Sequence, residues 1–143
     1  MAFHFTLDSL LRLRRSEQQQ HELLLQKANE QVNHIAREIA AIEGEAQQMA
    51  LENKSEAGIS GAEIQFGEAR GQVLEARRQQ AEQQLQSARE CQRLAAQQFQ
   101  HAWQRREALE TLRQRERQAF ALAESRAEQR RQDDLFLQRR QKR

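Results

Sequence analysis

The sequence contains no proline and no tyrosine, and only one cysteine and one tryptophan among its 143 residues. With no proline, nothing interrupts a helical run by lacking an amide donor. A lone cysteine, Cys91, excludes an internal disulfide framework and fits a reducing compartment. No stretch approaches the roughly 18 apolar residues of a membrane span, and the opening MAFHFTLDSLLRLRRSEQQQ lacks the long apolar core of a signal peptide. Together these imply a cytoplasmic protein, soluble or peripheral to a membrane. Apolar bulk is scarce too: Leu, Ile, Val and Phe make up about a fifth of the chain, near the limit below which burial no longer offsets chain entropy. That composition argues against a globular core and leaves periodicity to decide.

Gln, Glu, Arg and Ala fill most of the remainder, and all five glycines (Gly44, Gly58, Gly61, Gly67 and Gly71) fall in one short region. Helix formers on both sides make a single turn the economical reading. Ser60 followed by Glu63 has the spacing of a capping box, with Ile59 and Ile64 at the flanking staple positions and Gly58 suited to end the preceding helix. The expectation is one coiled-coil hairpin. Helix 1 spans about residues 6–57, capped by Thr6 with Asp8 near its positive end. The turn takes residues 58–60, and helix 2 runs over about residues 61–141. If the glycines up to Gly71 belonged to the loop, the register would shift by several residues.

In helix 1, Leu25, Ala28, Val32, Ile35, Ile39, Ile42, Ala46 and Met49 recur at alternating steps of three and four, which is a heptad seam. Helix 2 offers a poorer match in Leu74, Ala81, Leu85, Ala88, Ala95, Phe99, Ala102 and Leu109, interrupted by Arg78, Gln92 and Arg106. A narrow stripe cannot be buried by one helix alone, and a short turn sets the second helix antiparallel beside the first. The fold class is therefore all-α, an antiparallel two-helix coiled-coil hairpin with unequal arms. Phe5 is expected opposite about Leu112, leaving residues 113–143 overhanging. That overhang holds ten Lys/Arg against five Asp/Glu, whereas the net charge of the whole chain is only +2. A lone helix of this length is marginal in water, so it calls for a partner.

Nothing in the sequence announces catalysis. His4, His21, His34 and His101 have no second ligand at metal-binding spacing, Cys91 has no activating neighbour, and no glycine cluster is followed by the Lys-Ser or Lys-Thr of a phosphate loop. A two-helix rod also offers no concave pocket from which water could be excluded. No enzyme activity, cofactor or metal is expected. The basic tail could neutralise phosphates, but stacking aromatics are few and Asp133 and Asp134 interrupt the run, so nucleic acid is not the expected partner. A protein partner fits better, with Leu112, Phe120, Leu135, Phe136 and Leu137 as apolar anchors and the arginines as carboxylate ligands.

The beginning FTLDSLLRLRRSEQQQ, with Phe5, Leu7, Leu10, Leu11, Leu13 and Arg14, resembles the amino-terminal pattern of the flagellar export protein family FliJ. The end is similar to that family as well, in Glu124, Arg126, Gln129, Arg130, Arg131, Asp133, Asp134 and Leu135. The resemblance implies a long antiparallel coiled coil like the central stalk of rotary ATPases. Such a stalk binds and stimulates the hexameric flagellar export ATPase in the cytoplasm, contacts the export gate at the inner face of the membrane, and handles export chaperones. Carried onto this sequence, ATPase binding falls to Phe5, Leu7, Leu10, Leu11, Leu112, Arg113, Phe120, Arg126, Arg130, Arg131, Asp133 and Asp134. The gate contact falls to Leu74, although Arg77 and Arg78 adjoin it, and Phe136 stands where the family usually has a small residue. The stalk protein of a virulence type III secretion system and an unrelated coiled-coil scaffold are the alternative readings.

Overall fold

A computed structural model of the protein describes residues 2–55 and 61–142. Among them two helices account for nearly everything: α1 spans Asp8–Ser55 and α2 spans Gly61–Gln141, 48 and 81 residues long. The architecture is the expected all-α hairpin, with no strand among the described residues. The expected turn and its capping residues Gly58, Ile59 and Ser60 lie outside the described residues. Gly44, Gly61, Gly67 and Gly71 all sit within helices, so residues 61–71 are helix and not loop.

α1 begins two residues after the expected cap. Thr6 and Leu7 form a turn, in which the Asp8 amide donates to the Phe5 carbonyl at 3.2 Å, and the Leu11 amide then donates to Leu7 at 2.9 Å. Asp8 lies in the first helical turn, where its carboxylate complements the positive helix end and meets Arg12 at 3.1 Å.

The contacts fall into two compact units. In the unit Gln20–Phe99, Ile42, Leu74 and Ala81 form a buried cluster joined by the half-buried Ile39 and Met49, and Ile35 and Ala88 are buried further along. These are seam positions, and their burial follows from the three-four spacing that puts them on one face. Ala46, the remaining expected seam residue near the end of α1, is exposed. Two of the interruptions in the α2 stripe have partners across the pair here. Gln92 donates to Asn29 at 2.6 Å, and Arg78 reaches Glu43 at 3.5 Å, with Arg77 meeting Glu45 at 3.6 Å beside it. A polar group at a seam position costs stability but fixes which residues face each other, since a register slip would strand it without a partner.

The other unit, Met1–Gln19 with Gln100–Arg143, has its own small core of Phe5, Leu11 and Ala102. The two elements run antiparallel, as shown by Phe3 against Phe120, Arg15 against Glu110 and Gln18 against Arg106. These pairs lie several residues further along α2 than the expected pairing of Phe5 with Leu112. The covered part of α2 therefore reaches Phe120, and residues 113–120 are not overhang.

Two substitutions test this packing. An added Cβ at Gly44 meets nothing within 4 Å, so Gly44→Ala should stabilise the chain by about 0.5–1 kcal/mol through helix propensity alone. Leu74→Ala, which empties the centre of a buried cluster, should cost about 2 kcal/mol or more. Urea unfolding followed by far-UV circular dichroism reads both.

Candidate functional site

The site is built at the end of α2 because α1 has nothing left to cover it. Ahead of α1 the chain makes the turn at Thr6 and Leu7, which buries Phe5 to 4 % exposure and sets the Phe3 ring on Phe120, centroids 5.6 Å apart and inclined at 54°. Tilted aromatic pairs of this kind are favourable beyond their buried area. Leu11, fully buried, anchors the next turn of α1.

A polar layer follows. Arg15 donates from Nε to Glu110 at 2.8 Å and approaches the same carboxylate through Nη2 at 2.6 Å. Arg106 donates to Gln18, lies 3.3 Å from Glu107 and 3.9 Å from Glu110, and stacks over the Trp103 ring at 5.9 Å. Arg106 therefore interrupts the apolar stripe without being stranded. Arg15, Gln18 and Glu110 had not been marked by the sequence pattern, because their partners are distant in the chain and only the register reveals them.

Beyond Phe120 the surface changes character. From Ala121 to Gln141 every residue of α2 is exposed except Ala127, which is half-buried. This uncovered arm presents Arg126, Arg130, Arg131, Arg139 and Arg140 together with exposed Leu122, Leu135, Phe136 and Leu137. Arg131 pairs with Glu128 at 3.5 Å, an exposed contact of little energetic weight.

The residues carried over from the family divide by burial. Phe5 and Leu11 are buried, and Leu10 and Phe120 are half-buried, so these hold the unit together, whereas Arg113 is half-buried and still lines an open surface. Leu7 and Leu112 are both 37 % exposed, and Arg126, Arg130, Arg131, Asp133 and Asp134 stand open on the arm. Leu74 is buried at 5 % exposure in the unit Gln20–Phe99, and its side chain is not presented to a partner while the helices are paired. On the same stretch of α2 the large exposed apolar residues are Ile64, Phe66 and Val73. Phe66 and Val73 are two turns apart on one face.

Among the described residues no three His, Cys, Asp or Glu side chains converge to hold a metal, and no helix is long and apolar enough to cross a membrane. Cys91 is an exposed free thiol. Arg93 holds the Glu90 carboxyl below the usual carboxylate range, first by a hydrogen bond and then by its charge, and Glu90 raises the Arg93 guanidinium in return. That pair is exposed within one helix turn, as the pair of Glu128 and Arg131 on the arm is.

The family model described as the flagellar FliJ protein matches residues 3–143, nearly the whole chain. The chain belongs to the FliJ family. No curated protein and no solved structure matches it. FliJ membership makes the chain a flagellar type III export component of stalk-like helical design, a non-enzymatic class, and the end of α2 past Phe120 is its most continuously exposed stretch among the described residues.

A double-mutant cycle on Arg15→Ala and Glu110→Ala should give a coupling of about 0.5–1 kcal/mol, since the pair is only partly shielded, at 44 % and 26 % side-chain exposure. The coupling should shrink in high salt.

Proposed function

We propose that the chain acts as the central stalk of a hexameric flagellar export ATPase, which it binds and stimulates through the paired ends of its helices and the uncovered arm of α2. The carrying observation is the run from Ala121 to Gln141, helical, studded with arginine, and exposed among the described residues at every position but Ala127. A lone helix of this length is marginal in water, so its ordering is best supplied by a partner. Many shallow contacts between arginines and acidic or polar loops of a ring favour steering and exchange over rigid locking, because exposed ion pairs are individually weak and fast to break.

Leu10, Phe5 and Leu11 contribute by holding the end of the stalk in shape, while Leu7, Leu112, Arg113, Arg126, Arg130, Arg131, Asp133 and Asp134 provide surface. Contact with the membrane export gate and with export chaperones completes the role and places the chain at the inner face of the membrane. Burial of Leu74 argues that the gate contact uses its exposed neighbours Phe66 and Val73, two apolar side chains on one face near the start of α2.

Charge reversal at two exposed positions, Arg130→Glu with Arg131→Glu, should lower stimulation of the cognate ATPase several-fold while circular dichroism shows unchanged helicity. ATP turnover measured with and without the chain reads the first quantity, and stimulation equal to wild type would count against the stalk reading.

A further inference from the structure

On α2, just before the covered stretch ends, Glu110, Arg113, Gln114, Arg117, Gln118 and Ala121 line an open groove of about 340 Å³ along one helix face. One feature sets it apart from an ordinary solvated flank. The Arg113 Nε is buried and has no hydrogen-bond partner, a costly arrangement for a cationic donor. Neither Arg113 nor Arg117 forms an ion pair among the described residues, a lack they share with Arg115, Arg126 and Arg130, whereas Arg106 and Arg131 on the same helix are paired. The one carboxylate in the groove, Glu110, is already engaged by Arg15 and Arg106. The groove thus holds two guanidinium groups one helical turn apart, flanked by two side-chain amides, with its own acid committed elsewhere.

We infer that this groove is a receptor for a single carboxylate side chain, an Asp or Glu projecting from an acidic segment of a protein partner, held by Arg113 and Arg117 with Gln114 and Gln118 as further donors. The inference deepens the stalk reading and rests on it, for the partner it supposes is the protein that docks on this end of α2. A fork of guanidinium donors matches a carboxylate in geometry as well as charge. Phosphate of a nucleic acid would satisfy the same donors. A polyanion lying along the helix, however, would meet Glu116, Glu124 and Glu128 and then Asp133 and Asp134, and would find few aromatics to stack on. A lone acidic side chain avoids that repulsion.

The test uses the full chain labelled with nitrogen-15 at arginine, titrated with capped hexaglutamate, with capped hexaglutamine and with an oligothymidine. Hexaglutamate, which meets Arg113 through the terminal nitrogens of its guanidinium, should shift the neighbouring Nε–H resonance, while hexaglutamine leaves it in place. Arg117→Gln should weaken the effect by about tenfold, in line with loss of a charge-assisted bond. Arg117→Lys should restore only part of it, and Arg130→Gln with Arg131→Gln should change it little. Circular dichroism confirms that each variant is folded. The assignment is overturned if the resonance does not respond, if all the arginine variants weaken binding equally, as general charge attraction would do, or if the oligothymidine shifts it at lower concentration than hexaglutamate. Because Arg130 and Arg131 carry the test of ATPase stimulation and Arg117 carries this one, the two readings can fail separately.

Discussion

The organising constraint is a seam that only one of the two helices can carry to its end. An apolar stripe along a helix is stable in water only where a second helix covers it, and α1 supplies 48 residues against the 81 of α2. Where cover exists the stripe is buried, from Leu74 through Ala81 and Ala88 in one unit to Ala102 in the other. Where cover stops, past Phe120, the composition of α2 stays much the same but its side chains, arginines and leucines alike, stand exposed. The exposed arm thus follows from the unequal lengths of the two helices, and it leaves Leu122, Leu135, Phe136 and Leu137 open beside the arginines.

Polar layers set the alignment that makes the arm begin where it does. Large aliphatic side chains are few, and alanines along α2 fit almost any register equally well. Discrimination comes from Gln92 with Asn29, Arg78 with Glu43, and the group of Arg15, Gln18, Arg106 and Glu110. Each pair is modest in energy, but a shift by one residue would leave several polar groups facing alanine. At the far edge the tilted rings of Phe3 and Phe120 close the pairing.

Much of this was legible in the sequence. The three-four spacing around Ile35 and Ile42 is a direct consequence of helical geometry, and the interruptions at Arg78, Gln92 and Arg106 were visible as well. The register was less accessible, because the alanine-rich stripe of α2 does not select one alignment and the fold-back that carries Phe3 to Phe120 depends on a turn at Thr6 and Leu7 that no strong turn residue marks. Leu74 illustrates a second limit. Its place on the seam and its place in a family contact patch draw on the same apolar character, and only burial separates them. The unpaired Nε of Arg113 could not be read from sequence at all, since it depends on which neighbours fill the space around one atom.

The end of α2 connects physics to role. In the proposed role, a segment of marginal stability would be ordered by a ring of subunits at low cost and released again, which suits a stalk better than a permanently buried helix would. Amide hydrogen exchange of the chain alone and with its cognate export ATPase tests this most directly. Exchange from Leu122 to Gln141 should be fast in the free protein, while amides around Leu11 and Ala102 are protected, and the ATPase should slow exchange along the arm. An arm already protected in the free chain, or one whose exchange is the same with the ATPase bound, would contradict it.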